Sequence, residues 1–540
     1  MGDFSVTSVT SVVIRFFLSV LAHAATRASR PCLIVHKVPA FGRGFCFWDG
    51  MLTNNSSTQT QMEFISIEEL VPQDHLLRKI DRVIDFSFIR EKTKGLYCAD
   101  NGRPAVDPVV LFKMLFIGFL FGIRSERQLM REIEVNVAYR WFLGMGLRTA
   151  VPHHSTISQN RRRRFADGAV HQDIFDEIVL QAVRHRLADG RVLYSDSTHL
   201  KASANKNRFE LKDVQKSTRG YLEELDRDVA KDREAQDKKP LPEKPKDEPG
   251  TTLTKVSTTD PESGFMVRDG KPRGFFYLDH RTVDGRHGIV TDAFITAGNV
   301  HDSMPYLDRL DRQRERFGFT VEAVGLDAGY YNAALCKGLS DRSIEGVIAY
   351  CRPTHRQGML RKNQFRYDAQ TNSYTCPQGQ KLPCRTTTRE GYREYASDPK
   401  ICASCPLLSQ CTTSRNKTKT ITRHLWEDHR EKVNGNRLTA WGKSIYKRRK
   451  ETVERSFADA KELHGYRYAR LRGRMKVQEQ ALLTAACQNM KKIAMELCKR
   501  IANRPVPKGP QGPSNGGATA FIALIAALLT ARFSYLPKTA

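Results

Sequence analysis

With 540 residues, the chain is long enough for roughly two to four domains, each with a hydrophobic core of normal size. Its 87 Lys and Arg outnumber its 59 Asp and Glu, so the formal net charge is +28, with basic residues recurring along most of the chain. This positive charge favours a polyanionic partner, most directly nucleic acid. The 12 cysteines are too few in a chain of this length to indicate a secreted disulfide scaffold.

Both ends of the chain differ in character from its middle. Residues 1–61 hold an apolar run that Arg15 interrupts, and regular helical periodicity begins only near Met62, so we expect an extension outside the folded core. Residues 501–540 have the composition of a Pro/Gly linker followed by an apolar tail that is short for a bilayer span. We therefore expect no membrane segment, and a cytoplasmic, nucleoid-associated protein.

Residues 62–187 have helical periodicity, and we predict an all-α DNA-binding domain there. Asp107 and Pro108 are typical of a helix start, and the apolar run that follows them predicts a buried helix. A later helix opens near Ser155 and continues into consecutive arginines, an order that resembles a helix-turn-helix. These arginines form either a solvated basic face or a DNA contact, and the DNA-binding candidates are Arg161, Arg162, Arg163 and Arg164.

Residues 188–500 change to strands followed by helices, which predicts an α/β catalytic domain. The runs "RVLYSDST" and "VEAVGLDAGY" have strand character, and residues 275–298 predict two strands joined by a glycine-containing turn. Two segments interrupt this domain. Residues 209–262 are charged and rich in proline, as in a flexible insertion, and an insertion at about 335–430 carries a cluster of cysteines.

Two aspartates stand near the ends of these predicted strands. Asp196 follows an apolar run in "RVLYSDST", and Asp327 ends "VEAVGLDAGY". Either aspartate alone is equally consistent with a strand-end cap or an ion pair, because a buried carboxylate needs a partner. Two of them in one basic chain favour a shared site for a hard divalent cation such as Mg²⁺.

The segment "YKRRKETVERSFADAKELHGY" (446–466) predicts a helix whose glutamates are not equivalent. At about 100° per residue, the inward stripe consists of Val453, Phe457, Ala460 and His464. Glu454 lies at the edge of this stripe with Lys450 and Lys461, whereas Glu451 and Glu462 point to solvent. Only Glu454 can therefore reach a site between helix and sheet. The alternative is a simple pair between Glu454 and Lys450.

Several motifs, in this order and spacing, resemble the DDE transposases of bacterial insertion sequences. In the helical region they are "VPQDHLLRKIDRVIDFSFI", "DPVVLFKMLFIGFLFGIRSERQLMREIEVNVAYRWFLG" and "VPHHSTIS". In the α/β region they are "YSDSTHLKASANK", "TDPESGFM", "TAGNVHDS", "GLDAGYYN" and "VERSFADAKELHGYRYARLRG". The resemblance covers about residues 62–500 and belongs to the group with an N-terminal helical domain and a cysteine-bearing insertion.

This resemblance implies a ribonuclease-H-like catalytic core, a mixed sheet with flanking helices, preceded by the all-α domain. It implies a catalytic triad of Asp196, Asp327 and Glu454 that holds two Mg²⁺ or Mn²⁺ ions. Lys450 and Lys461 would then contact phosphates of double-stranded DNA, at the element ends and the target, with the protein acting as a homodimer. In relatives the tyrosine and arginine of this helix stand one residue nearer the glutamate than Tyr446 and Arg449 do, and Lys450 takes the arginine's place.

The cysteine cluster has the spacing of half a zinc site. Cys402 and Cys405 form a Cys-x₂-Cys pair, and Cys376 and Cys411 would complete four thiolates for a structural Zn²⁺. Cys384 is a rival ligand, and reduced thiols without metal are the alternative.

Three functions stay open at this point: a transposase, a DNA-binding protein that no longer cuts, and a divalent-metal nuclease without strand transfer. The intact carboxylates favour the first. The pair His301-Asp302 in "TAGNVHDS" is equally consistent with a capped turn and a place near the metals, so we leave it outside the catalytic set.

Overall fold

The computed structural model describes residues 64–98, 105–215, 221–242, 251–267, 273–350 and 356–503. The expected N-terminal extension and C-terminal tail lie outside these ranges, apart from residues 501–503. The described residues between Ile65 and Asn503 belong to one compact unit. No helix in the described ranges is long and apolar enough to cross a membrane.

Eight α-helices precede the first strand of the described chain. They are α1 (Ile67–Leu70), α2 (Leu76–Val83), α3 (Phe88–Thr93), α4 (Pro108–Leu120), α5 (Glu126–Val135), α6 (Val137–Leu143), α7 (Ser155–Arg163) and α8 (Ala169–Arg184). The helix start predicted at Asp107 is confirmed, since its carboxylate accepts the backbone N–H of Val109 at 2.9 Å. Helix α4 is buried along most of its length, as its apolar sequence requires.

A mixed sheet forms the centre of the α/β region. Its strands are β1 (Val192–Lys201), β4 (Gly264–Met266), β5 (Gly274–Asp284), β6 (Val290–Ala297), β7 (Ala323–Leu326) and β8 (Glu345–Ile348), and the main order is β6-β5-β1-β7-β8, with β4 also pairing with β5. Strands β5 and β6 are antiparallel to their neighbours, whereas β1, β7 and β8 run parallel to one another. The helices beside it are α10 (Tyr306–Phe317), α11 (Ala333–Asp341), α14 (Glu427–Asn436), α15 (Ala440–Arg448), α16 (Arg455–Leu463) and α17 (Arg474–Ala502).

The helical region and the sheet share one hydrophobic core. Helix α17 packs against α2, α4 and α8 on one side and against β6 on the other. Its middle turns, from Ala481 to Met490, are buried throughout. This packing explains why residues 65–187 do not separate from the α/β region as a compact unit of their own.

The segment 209–262 is more structured than its composition predicts. It contains an antiparallel pair, β2 (Phe209–Gln215) with β3 (Thr251–Ser257), and a helix, α9 (Leu222–Glu234). Leu225 and Val229, four residues apart on α9, are buried against Trp426. These three apolar side chains anchor a segment that we expected to be flexible throughout.

The cysteine-bearing insertion starts later than predicted, because α11 and β8 are part of the main fold. It forms a second, antiparallel sheet of β9 (Arg366–Asp368), β10 (Ser373–Thr375), β11 (Lys381–Thr387), β12 (Tyr392–Ala396) and β13 (Thr420–His424), in the order β13-β12-β11-β10-β9. Two short helices, α12 (Pro399–Ala403) and α13 (Leu408–Cys411), lie between β12 and β13. Its small core contains Tyr374, Leu382 and Tyr395.

Candidate active site

Asp196 lies on β1, the middle strand of the five-strand order, and its side chain is 20% exposed. Its Oδ1 accepts the backbone N–H of Ser197 at 2.8 Å, and its Oδ2 accepts an N–H of Arg449 at 2.8 Å. Burial raises the pKa of Asp196 to about 6, with a further rise from the charge of Asp327 and an opposing effect of Arg449. A carboxylate with these surroundings binds added positive charge readily.

Asp327 comes directly after β7, which runs parallel to β1. Tyr194 is paired with Gly325, so Asp196 and Asp327 follow at equivalent positions of neighbouring strands. Glycine at 325 allows this close approach, because a Cβ there would lie 2.7 Å from the Tyr194 ring. Burial raises the pKa of Asp327, Arg449 opposes this rise, and Asp302 adds to it. Asp196 and Asp327 therefore lie beside each other on neighbouring strands, but only Asp327 stands at the end of its strand, because β1 continues past Asp196 to Lys201.

Asp302 is a third carboxylate at this edge, and sequence reasoning left it out. Its Oδ1 accepts the hydroxyl of Ser197 at 2.7 Å, next to Asp196 on β1. A Cβ added to Gly329 would lie 3.4 Å from Oδ2 of Asp302 and 3.2 Å from Oδ1 of Asp327. The two carboxylates therefore both lie next to Gly329. The charge of Asp302 contributes to the raised pKa of both other aspartates. The only sequence feature that could have identified Asp302 is its position shortly after β6, in the motif "TAGNVHDS".

His301, its neighbour, makes a different set of contacts. Its Nδ1 lies 2.9 Å from the hydroxyl of Ser303, and the residue is exposed. The sequence was consistent with a capped turn or with a place near the metals. His301 belongs to a turn, whereas Asp302 contacts Ser197 beside Asp196.

Glu454 follows Arg449 on a turn of π-helix, Lys450–Glu454, between α15 and α16. The backbone N–H of Glu454 donates to the carbonyl of Arg449 at 3.2 Å, which is the i to i+5 bond of a π-turn. The hydroxyl of Thr452 donates to the carbonyl of Arg448 at 2.8 Å, satisfying a carbonyl at this irregular turn. A π-turn holds one residue more than an α-turn, so Glu454 stands one turn after Arg449.

Arg449 and Glu454 are five residues apart, one more than the spacing of an α-turn, and the π-turn accommodates this additional residue. Arg449, buried to 4% exposure, reaches Asp196 and also donates to the hydroxyl of Tyr446 at 3.3 Å. Lys450, which has the arginine's spacing from Glu454, is exposed. The contact with Asp196 is therefore made by Arg449 and not by Lys450. The predicted inward stripe of Val453, Phe457, Ala460 and His464 is buried, whereas Glu451, Glu454 and Glu462 are exposed.

Buried polar contacts hold this helix against the sheet. Arg281 on β5, which is paired with Asp196 in the sheet, donates to the hydroxyl of Ser456 at 3.0 Å and to Gln488 at 2.9 Å. Its other nitrogen donates to Asp279 at 2.8 Å, and both charged side chains are fully buried. The contact with Ser456 therefore joins α16 to β5.

Lys461, two turns after Glu454, also reaches β1. Its Nζ donates to the hydroxyl of Thr198 at 2.7 Å. Alternate residues of a strand share a face, so Asp196 and Thr198 lie on the same side of the sheet. The helix therefore follows β1 with Arg449 at one end and Lys461 at the other.

The donor set suits a divalent cation in its chemistry. Asp196, Asp302 and Asp327 are carboxylates whose mutual repulsion a divalent charge would relieve, and Glu454 is exposed on the π-turn that packs against β1. Within the described ranges, however, no group of three or more His, Cys, Asp or Glu side chains is assembled to hold a metal ion. Arg449 takes one oxygen of Asp196 in this arrangement. A bound ion would have to share Asp196 with Arg449 or displace it.

The four consecutive arginines of the helical region have unequal surroundings. Arg161 is 11% exposed and bonded to Glu126 at 2.6 Å and Glu479 at 2.8 Å, which gives it a structural role between α5, α7 and α17. Arg164 donates to Asn160 at 2.7 Å and lies over the ring of Tyr97. The exposed members of the set are Arg162 and Arg163.

The cysteines of the insertion divide into two groups. Cys376, Cys402, Cys405 and Cys411 line one cavity of about 40 Å³ beneath α12 and α13. Burial raises the pKa of Cys411, and the three other thiols of the cavity add to this effect. Cys384 instead has its sulfur 3.4 Å from the side-chain oxygen of Gln236 on the side of α9. The rival ligand thus lies apart from the four predicted ones.

Comparison with known proteins returned two family matches. Residues 65–163 match a family described as a transposase domain (DUF772), and residues 375–494 match a transposase DDE domain. The second match includes the cysteine group and Glu454, and begins after Asp327 in the chain. A search of curated proteins found no match.

Two solved structures show low similarity to this chain. The Mos1 mariner paired-end complex with Mn is 14% identical, with 48% of this chain and 64% of that chain covered and a TM-score of 0.14. The piggyBac transposase synaptic complex with hairpin DNA is 9% identical, with 86% and 90% covered and a TM-score of 0.23. This chain thus spans just under two thirds of the mariner chain, and TM-scores this low support no conclusion about the fold. The chain thus carries a DUF772 transposase domain followed by a transposase DDE domain, and these two matches support a DDE transposase of an insertion-sequence type.

Proposed function

We propose that this protein binds the ends of its mobile element, cleaves phosphodiester bonds by two-metal hydrolysis and joins the freed 3′-OH ends to target DNA. The observation that carries the proposal is the placement of Asp196 and Asp327 on neighbouring parallel strands, with Arg449 of the π-turn region donating to Asp196. Glu454 follows on the same turn. The mixed sheet, with Asp196 on its central strand, supports a ribonuclease-H-like core.

Asp196, Asp327 and Glu454 would hold two Mg²⁺ or Mn²⁺ ions, with Asp302 as a further carboxylate beside them. Bound divalent ions supply positive charge and lower the pKa of a water that attacks phosphorus. The chain's own part is to gather the carboxylates despite their repulsion. Arg449 makes this tolerable by placing a guanidinium at Asp196, and Ser197 links Asp302 to the same strand.

Two lysines would hold phosphates of the DNA backbone near the cut. Lys461 lies at Thr198, on the face of β1 that carries Asp196, and Lys450 is exposed at the start of the π-turn. Each gives a point charge to a backbone oxygen, a contact that positions DNA without reading its sequence. We propose Arg162 and Arg163 for the same task in the helical region, and a dimer that holds both element ends.

We also propose a structural Zn²⁺ held by Cys376, Cys402, Cys405 and Cys411. Four thiolates are a complete ligand set for zinc, and these four thiols share one small cavity. The insertion core is small, with five buried apolar side chains, so a metal would supply stability that packing alone does not.

The proposal is tested with the purified protein, Mg²⁺ and a linear DNA that carries the inverted repeats flanking the gene. Cleavage at the repeat boundary, followed by covalent joining of the 3′ ends to a plasmid, is the expected result. Cleavage without joined product would instead favour the nuclease, and binding without cleavage a DNA-binding protein that no longer cuts. Separation of the products on a denaturing gel distinguishes these outcomes.

A further inference from the structure

Arg281 connects the sheet at Asp196 with the helix that follows Glu454. It lies on β5 directly opposite Asp196 on β1, and residues opposite each other in an antiparallel pair share one face of the sheet. One nitrogen of its guanidinium donates to the hydroxyl of Ser456 at 3.0 Å. Ser456 stands two residues after Glu454 in the chain. Arg281 is thus the cross-strand neighbour of one predicted metal ligand and is bonded close to another.

The contact between Arg281 and Ser456 is closed by a third side chain, Gln488 on α17. The same nitrogen of Arg281 donates to the side-chain oxygen of Gln488 at 2.9 Å, and the amide nitrogen of Gln488 donates to the carbonyl of Ser456 at 2.8 Å. These hydrogen bonds form a closed ring between β5, α16 and α17. All three residues are at most 3% exposed, and the ring is held firmly because a buried polar group left unpaired costs its full desolvation.

The other end of the Arg281 side chain is fixed by the sheet. Its second nitrogen donates to Asp279, two residues earlier on β5, at 2.8 Å. The guanidinium also lies 4.9 Å from the centre of the Phe457 ring on α16. A planar charged fork can bind the carboxylate and the hydrogen-bonded ring at once, which the compact ammonium of a lysine does not reproduce. The sheet therefore fixes Arg281, and Arg281 fixes α16.

The turn that carries Glu454 is consequently attached to the sheet at both ends. Before the turn, Arg449 donates to Asp196 at 2.8 Å. After the turn, Ser456 accepts from Arg281. Glu454 itself is exposed, so its position relative to β1 depends on these two attachments. The first uses an oxygen of Asp196 that a divalent cation would share or take over, whereas the second uses none of the proposed metal ligands.

We propose that Arg281 is a positioning residue that fixes the Glu454 turn against the sheet while Asp196 binds metal. The inference rests on the proposed DNA-cutting function. It goes beyond that function because it gives a role in the reaction to a side chain that contacts neither DNA nor metal. Without this attachment the turn can shift, and a shift of about 1 Å at a reacting group lowers a rate by about a hundredfold.

Arg281→Lys tests this role and keeps a cation beside Asp279. We expect the single-turnover cleavage rate at saturating Mg²⁺ to fall by about 10- to 100-fold. The affinity for element ends should stay within about threefold, because phosphate contacts carry it. Ser456→Ala removes the same attachment from the other side and leaves the pair of Arg281 and Asp279 intact, so it repeats the test if Arg281→Lys does not fold.

Arg78→Lys is the matched control. Arg78 is 6% exposed, donates to the carbonyl of Val71 at 3.0 Å and pairs with Glu68, so its fork joins parts of the helical region. This variant should lower the melting temperature, as Arg281→Lys does, and leave the cleavage rate of the folded protein unchanged. A purely structural Arg281 would behave like Arg78 in both measurements.

Hydrogen–deuterium exchange of the metal-free protein gives a readout that does not depend on activity. The backbone amides of residues 450–458 should exchange about 2- to 10-fold faster in Arg281→Lys, which is the effect of one lost hydrogen bond on local opening. In Arg78→Lys these amides should exchange at an unchanged rate.

An unchanged cleavage rate in folded Arg281→Lys, or unchanged exchange at residues 450–458, would overturn the proposal. Failure of the proposed function would look different, because the unchanged protein itself would then not cleave DNA. The exchange measurement would in that case still decide whether Arg281 holds the turn.

Discussion

The backbone N–H of Glu454 donates to the carbonyl of Arg449, five residues earlier in the chain. This bond closes a π-turn, which accommodates one residue more between Arg449 and Glu454 than an α-turn would. Arg449 turns inward to Asp196, and Glu454 follows one turn later at the exposed edge. The additional residue is accommodated by the helix without moving α16 off the sheet.

Removing the additional residue should therefore be tolerated. We expect deletion of the exposed Glu451 to convert the π-turn into an α-turn and keep Arg449 and Glu454 on one face. Cleavage should stay within about tenfold of the unchanged protein, because the pairing with Asp196 is preserved.

Insertion of an alanine after Lys450 is the matched comparison. It should rotate Glu454 by about 100° relative to Arg449 and abolish cleavage without loss of end-binding. Loss of activity in the deletion together with activity in the insertion would contradict this account of the turn.

Asp302→Asn tests whether the third carboxylate belongs to the site. The amide oxygen can still accept from Ser197, so the local hydrogen bond is retained while the charge is removed. We expect the metal concentration for half-maximal cleavage to rise by about 10- to 100-fold, as for other residues that support metal ligands. His301→Ala, one residue away on the exposed turn, should leave that concentration unchanged. A wild-type metal dependence in Asp302→Asn would place Asp302 outside the site.

The raised pKa of Asp196 predicts a specific pH dependence. With a folded pKa of about 6, the carboxyl is protonated below this value, and a proton must leave before a metal ion binds. The metal concentration for half-maximal cleavage should therefore rise about tenfold for each pH unit below 6, and level off above it. Titrations with Mn²⁺ between pH 5 and about 8 measure this. A half-maximal concentration that stays constant through this range would argue against Asp196 as the titrating ligand.

Zinc content and stability test the cysteine group. Purified protein should contain one zinc per chain by elemental analysis, and Cys402→Ala with Cys405→Ala should lose it and lower the melting temperature of the protein. Cys384→Ala should keep the metal, because its sulfur lies at Gln236 and outside the shared cavity. Metal-free native protein, or metal loss in Cys384→Ala, would overturn the assignment.

The sequence predicted that Asp196 and Asp327 lie beside neighbouring strands, because apolar strand patterns run up to both residues, and the register of β1 with β7 agrees with this. Glu454 was chosen because a helical stripe runs through Val453 and Phe457, and its place in the site stays a prediction. The register of Arg449 was missed, since a fixed 100° per residue cannot describe a π-turn. Asp302 was missed because its contacts, to Ser197 and towards Gly329, join residues distant in the chain.

The same reasoning explains the errors in the insertions. Residues 209–262 were predicted to be flexible because most of them are charged. The few apolar residues among them include Leu225 and Val229, which pack a helix against Trp426. Trp426 lies far along the chain, so a local pattern cannot predict that contact. Residues 335–348 were counted with the cysteine insertion, yet they complete the main sheet by pairing β8 with β7.

The most direct test of the account compares cleavage with end-binding in single variants of the three carboxylates. Asp196→Asn, Asp327→Asn and Glu454→Gln should each lower Mg²⁺-dependent strand cleavage by more than about a thousandfold. Each should bind element ends within about threefold of the unchanged protein, because phosphate contacts carry that affinity. Glu451→Gln, on the exposed side of the same turn, should cleave normally. Cleavage that persists in any of the three carboxylate variants would contradict the central claim.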